Sequence, residues 1–314
     1  MNALYAALGI SKQGFHQMLN RWLKKESLVK QVVHIVNGVR RDHPTMGVRD
    51  IYFKMQPGRI GRDVFEEICR QESLMSVRPK NWTKTTDSRG VRRFENLTKG
   101  LIVNKMDQLW QSDITYFEVS GRFYYLTFIQ DMYTKTIVGH HVSASLATEN
   151  TTLPALKKAL QLRKGRNLEG LIFHSDGGGQ YYCADFLAIT HDVGIDNSMC
   201  ENAWENGMVE RLNGVIKNNY LKHRSITSFK QLVKEVDRIV SIYNHDKPHR
   251  ALKRKTPYQF EMELLKLHQQ QKPRKTESFD ANCQLEGASS PSQLKQPKPQ
   301  NRDIVSANYL EVVD

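Results

Sequence analysis

Between residues 106 and 245 the apolar residues change their spacing, and that change constrains the fold more than any other feature of the chain. Leu109–Val119, Phe123–Met132 and Thr136–Ser145 are rich in β-branched and aromatic residues and follow one another closely. Ser120-Gly121 reads as a hairpin turn between the first two, and Tyr133-Thr134-Lys135 connects the next. From Thr148 to Leu162 the spacing becomes helical, with Leu153, Leu156, Ala159 and Leu160 on the inner side. A short strand at Gly170–His174, a helix at Ala184–Val193 and a fifth strand at Gly194–Met199 come next. Two helices close the series, about Asn206–Leu221 and Phe229–Asn244. The second spaces Leu232, Val236, Ile239, Val240 and Tyr243 as a core stripe.

Three strands followed by alternating helices and strands predict an α/β unit built on a five-stranded mixed sheet. The order βββαβαβαα is that of a ribonuclease-H-like layer. The region before it reads as all-helical. Leu4-Tyr-Ala-Ala-Leu-Gly9 ends a short helix, and Ser11 is an N-cap for a second running through Phe15, Met18, Leu19 and Trp22. This is a helix-turn-helix layout, although a plain helical hairpin fits the same residues equally well. A longer helix carries Leu28, Val32, Val36 and Val39 and stops before Pro44. Shorter ones are expected at Val48–Met55 and Arg62–Glu72.

Residues 78–100 hold seven Lys and Arg against two acids and few apolar side chains. They read as a basic linker, with Arg92 and Arg93 available to DNA phosphates. Beyond about 268 the chain is rich in Gln, Pro, Ser and Lys without apolar periodicity, which predicts a mostly disordered tail. The expected organisation is a helical region at 1–76, the linker at 77–104, the α/β core at 105–262 and the tail at 263–314.

The net charge of +13 favours a polyanionic partner. No run of eighteen apolar residues and no signal-peptide layout is present, so no membrane is expected. Four scattered cysteines without zinc spacing suit a reducing cytoplasm, and nucleic acid becomes the expected anion.

Three acids stand in settings that call for an explanation. Asp113 lies among strand formers in Trp110-Gln-Ser-Asp-Ile-Thr-Tyr116, where burial of an unpaired charge is expensive. Asp176 ends a strand in His174-Ser-Asp-Gly-Gly-Gly-Gln180, next to glycines that let the backbone approach a ligand. Glu210 sits on a helix in Asn206-Gly-Met-Val-Glu-Arg-Leu-Asn-Gly214, with Asn206 and Lys217 expected on nearly the same face. Three such acids can converge on a pair of divalent ions that clamp the oxygens of a phosphoryl displacement. Asp107, Asp131, Glu201 and Glu205 are competing acids.

Together with Arg40-Arg-Asp-His-Pro-Thr-Met-Gly47 and Tyr243-Asn-His-Asp-Lys-Pro-His249, these strings resemble the integrase-like core of DDE transposases, specifically the second-frame (orfB-type) transposases of bacterial insertion sequences. The likeness spans about 30–255. Lys247 stands where that family more often has Arg, and the interval from Asp176 to Glu210 is slightly short. The resemblance implies a transposase that cuts and joins DNA at insertion-sequence ends, using Mg²⁺ or Mn²⁺ held by the catalytic acids Asp113, Asp176 and Glu210. It implies DNA contacts by Lys217, Asn206, Arg211 and His174, a homo-oligomer on DNA, a first-frame transposase protein as partner or fusion, and a DNA-associated place in the bacterial cytoplasm. An inactive DNA-binding regulator derived from a transposase is the alternative, which loss of one acid would have favoured.

Overall fold

Ser11 starts a single long helix. The computed structural model describes residues 5, 7, 9–58, 60–76, 94–200 and 203–271. The Ser11 hydroxyl accepts the Gly14 N–H at 3.0 Å and opens α1, Lys12–Asp42. The two helices expected here are therefore one, because nothing in Leu23-Lys-Lys-Glu-Ser27 breaks a helix. Most of the short helix expected before Gly9 lies outside the described residues, as does the linker over 77–93. The chain turns at Gly9, whose φ of 65° suits glycine, and Tyr5 packs on Phe15. α2 (Val48–Met55) and α3 (Arg62–Gln71) fold back on the second half of α1, where Val32, Val36 and Val39 meet Ile51, Phe65 and Ile68.

The sheet contains β1 (Leu109–Val119), β2 (Arg122–Asp131), β3 (Ile137–Ser143), β4 (Ile172–Ser175) and β5 (Asp196–Met199) in the order β3-β2-β1-β4-β5. β1, β2 and β3 pair antiparallel, whereas β4 runs parallel to β1 and β5 parallel to β4. This is the ribonuclease-H-like mixed sheet. Ser120 and Gly121 both take positive φ, so the β1–β2 connection is a two-residue turn whose twist matches the strands. Its register sets Asp113 opposite Phe128.

Each face of the sheet is covered. α4 (Thr152–Leu162) and α5 (Ala184–Val193) bury Ala155, Leu156, Ala159 and Phe186 against Trp110, Ile129 and Phe173. On the other face lie α6 (Gly207–Gly214), which continues as a π-helical segment over Val215–Tyr220, and α7 (Phe229–His245). Val209, Leu212, Ile216, Leu232, Val236 and Ile239 close there on Leu126 and Phe128. Each large apolar side chain buried this way contributes about 1.5–3 kcal/mol. α4 comes so close to β3 that only glycine fits at position 139.

α8 spans Pro257–Gln271, so position 262, the expected end of the core, falls inside a helix. Glu261 on α8 pairs with the buried Arg163 guanidinium at 2.6 Å, and Asp107 accepts from the same guanidinium at 2.9 Å. The tail from 272 onward lies outside the described residues. The helical region joins the core through His43. Its two ring nitrogens hydrogen-bond the Tyr220 hydroxyl at 2.9 Å and the Asp246 carboxylate at 2.8 Å.

Candidate active site

β1 and β4 lie side by side with Gln111 opposite His174 and Ser112 opposite Ser175. Side chains two positions apart on a strand share a face. Gln111 and Asp113 on β1, and His174 with Asp176 just past β4, therefore form two adjacent rows. The lower row is dry. His174 is fully buried and shares a hydrogen bond with the Ser198 hydroxyl at 2.9 Å on β5, while Gln111 is 5% exposed. Burial lowers the His174 pKa to about 4, so its imidazole is neutral. The upper row carries the two aspartates.

α6 passes over these rows. The Asn206 amide, just before it, donates to the Ser112 carbonyl at 3.3 Å, and the Asn213 amide donates to the Asp113 carboxylate at 2.8 Å. Further along, the Lys217 ammonium donates to the Thr115 hydroxyl at 2.6 Å and lies 5.3 Å from the Tyr116 ring centre. Helix and strand thus run together, and Glu210 falls between the contacts to Ser112 and Asp113. Glu210 is exposed, whereas Lys217 is half-buried. Lys217 stands within the π-helical segment, whose wider turn holds more residues per revolution than the α-helix before it.

The electrostatics link the three acids. Burial first, and then the charges of Asp176 and Glu210, raise the Asp113 pKa to about 7 against the hydrogen bonds from the Ile114 backbone and Asn213. Burial also raises Asp176, partly offset by the Gly178 N–H, which donates to its carboxylate at 3.1 Å. A Cβ at Gly178 would stand only 3.0 Å from that carboxylate oxygen, so this close approach depends on glycine. Burial lowers the Lys217 pKa, and the Asp113 charge opposes that shift. The Tyr182 hydroxyl donates to the Asp176 carbonyl at 2.6 Å, and Tyr181 and Ser112 share a hydrogen bond of 2.9 Å beneath the acid row.

Among the described residues no three His, Cys, Asp or Glu side chains stand grouped as a ready metal shell. The donor set nevertheless suits a hard divalent cation. It consists of carboxylate oxygens whose mutual repulsion already falls on Asp113, and a cation relieves that repulsion. Glu210 is exposed and has no hydrogen-bond partner among the described residues, so its side chain is free to turn inward.

The remaining expected residues divide clearly. His174 and Asn206, expected at DNA, are buried at 0% and 2% exposure, and neither reaches a DNA backbone from there. They build the floor of the site. Arg211 is exposed beside Glu210. Arg92, Arg93 and Glu201 lie outside the described residues. Of the competing acids, Asp131 is fully buried and accepts from Thr134 and Tyr133 in the β2–β3 turn. Asp107 is held by Arg163 and Arg166, and Glu205 accepts from the Asn96 amide at 2.9 Å. Sequence reasoning missed the service of Asn213 and Thr115. An amide three positions after Glu210 was the only signal for the first, and none marked the second.

A family model described as "Integrase core domain" matches residues 103–203, and a second with the same description matches 191–257. The chain is 28% identical over 209 residues to "Transposase for insertion sequence element IS629" of Shigella sonnei, covering 65% of this chain and 67% of that one. It is also 28% identical over 266 residues to "Insertion element IS600 uncharacterized 31 kDa protein" of the same organism, covering 80% of this chain and 95% of that one. A solved magnesium complex of the HTLV-2 integrase catalytic core domain is 20% identical, covers 49% of this chain and 95% of that chain, and superposes loosely with a TM-score of 0.40. The protein carries an integrase core. Over these residues the chain is similar to transposases of bacterial insertion sequences. Among the described residues no helix is long and apolar enough to cross a membrane.

Proposed function

We propose that this chain cleaves DNA at the ends of an insertion sequence and transfers the freed strand, with Asp113, Asp176 and Glu210 as its catalytic acids. The observation that carries the reading is the charge conflict at Asp113, which is buried within the field of both other acids on an integrase core. The three carboxylates would hold Mg²⁺, with Mn²⁺ able to substitute. Such ions activate a water or hydroxyl nucleophile and neutralise charge at the reacting phosphate. The chain's own residues do the rest. Asn213 fixes one Asp113 oxygen, and the Gly178 N–H fixes one Asp176 oxygen. Lys217, beside Thr115, offers a cation to the phosphate that meets this row. In the first step water attacks the phosphorus and the 3′-oxygen leaves. In the second the freed 3′-hydroxyl attacks the phosphorus of a target phosphodiester and the target's own 3′-oxygen leaves.

The test uses the full chain, labelled duplexes carrying the ends of its own element, and Mg²⁺ or Mn²⁺, with and without the element's first-frame protein. Asp113→Asn, Asp176→Asn and Glu210→Gln each reduce cleavage at least 100-fold, about 2.7 kcal/mol of barrier, while duplex binding persists. Cleavage retained in any of the three removes that residue from the acid set.

A further inference from the structure

Lys135, Lys247 and His249 gather around Tyr243, since the Gln130 amide donates to the Lys135 carbonyl at 2.9 Å and to the Tyr243 hydroxyl at 3.0 Å, and the charge of Arg211 reaches Lys135. Lys135 occupies the β2–β3 turn, Arg211 follows Glu210 on α6, and Lys247 and His249 lie between α7 and α8. Burial lowers the Lys135 pKa and the charge of Arg211 adds to that, while Asp131 opposes it. Burial together with the charges of Lys247 and Lys135 holds His249 down at about 3. Lys247 and His249 flank one ring. The ammonium lies 5.5 Å from the Tyr243 ring centre, and the imidazole centre lies 4.8 Å from it.

The acids nearby are already committed. Asp131 is hydrogen-bonded within its own turn, and Asp50, which raises Lys247, pairs with Arg250 and Arg254. Among the described residues neither Lys247 nor Arg211 has an ion-pair or hydrogen-bond partner, and the buried Nε2 of His249 has none either. A half-buried cation such as Lys247 is costly to fold without an anion, whereas Arg211 is exposed and free to reach one. The cost is offset when an anion arrives that accepts from ammonium, guanidinium and imidazole N–H together.

We propose that Lys135, Arg211, Lys247 and His249 form a binding site for a backbone phosphate of nucleic acid around Tyr243, separate from the phosphate under attack. The identity of the phosphate as DNA rests on the reading of the preceding section. The chemistry of the site does not, because a phosphate group is recognised by the same donors from any source. Lys135 is held for this role by its own turn, where its ammonium donates to the Met132 carbonyl at 2.7 Å.

Two measurements on the full chain test it. The first is duplex affinity as a function of salt. Each phosphate that the protein no longer neutralises lowers the slope of log affinity against log salt by about 0.9. Lys247→Gln lowers it by about one such step, whereas Lys230→Gln, which removes a charge from the exposed surface of α7, lowers it by less than half as much. The second is thermal unfolding in inorganic phosphate against chloride at matched ionic strength. Phosphate raises the wild-type midpoint, and the rise disappears in Lys247→Gln and His249→Gln but is kept in Lys247→Arg, which retains the charge and controls for folding. If the Lys247 and His249 variants keep both responses, or if Lys230→Gln matches Lys247→Gln in both, the site is overturned. If the wild type shows the phosphate response but binds no DNA, the site stands and the DNA reading falls.

Discussion

Burial and two neighbouring carboxylates hold Asp113 near neutrality at pH 7. In the unfolded chain the same carboxyl ionises near 3.8. Between these two values the unfolded state carries fewer protons than the folded one, so stability falls as pH rises from about 4 to about 7 and is level above. Asp113→Asn should therefore stabilise the protein by roughly 1–3 kcal/mol at pH 8, with the gain vanishing below about pH 4. Denaturant unfolding of both proteins across that range measures it, and a gain independent of pH would place the effect outside this titration. Asp113 was legible in the sequence because a carboxylate among strand formers needs a reason. Its bond to Asn213 was not legible, because it depends on how a helix crosses a strand. His174 and Asn206 misled for a related reason. Polar residues beside an acid read as ligand contacts, and only the packing of α6 on the sheet shows them to be floor.

At the scale of elements, α4 approaches β3 closely at Gly139. A Cβ at Gly139 would sit 2.3 Å from the Ala155 carbonyl oxygen and 2.9 Å from the Ala159 Cβ. Neither neighbour can move without lifting α4 from the sheet. Gly139→Ala should cost about 3 kcal/mol or more, read as a lowered denaturation midpoint. A cost below about 1 kcal/mol would mean that α4 yields easily. Strands and helices were readable here because periods of two and 3.6 differ strongly over long apolar runs. The second half of α8 was not, because Leu264-Leu-Lys-Leu-His-Gln-Gln270 fades into the Gln-rich tail without a stop signal. The continuity of α1 was not either. Its first half leaves Met18, Trp22 and Leu23 exposed, so no core marks it as one rod with its second half.

At the scale of the molecule, the helical region and the core meet in a small polar joint. His43 bridges Tyr220 and Asp246, Lys54 pairs with the same Asp246, and Arg224 donates to the Arg41 carbonyl at 2.9 Å. His43 is 2% exposed, and burial lowers its pKa against the pull of Asp246. Removing the imidazole strands a buried hydroxyl, at a cost of about 1–3 kcal/mol. His43→Ala should therefore raise amide exchange in α1 to α3 and at Tyr220 while β1 and β2 keep their protection. Exchange rising equally throughout would show that the joint belongs to global stability instead. Nothing in the sequence pointed to this joint, because its partners lie 177 and 203 positions apart.

The π-helical segment ties these scales together. It separates two cargoes on one helix, the Glu210 carboxylate before it and the Tyr220 hydroxyl at its last residue. A π turn holds one residue more than the α turn it replaces, so the segment works as a phase shifter. Deleting Val215 or Ile216 would restore a regular helix and leave Glu210 where it is. Everything downstream would then turn by about a quarter of a revolution, so Lys217 would leave Thr115 and Tyr220 would leave His43 in the same motion. A single unit of chain length therefore sets both the aim of the cation beside the acids and the docking of the helical region.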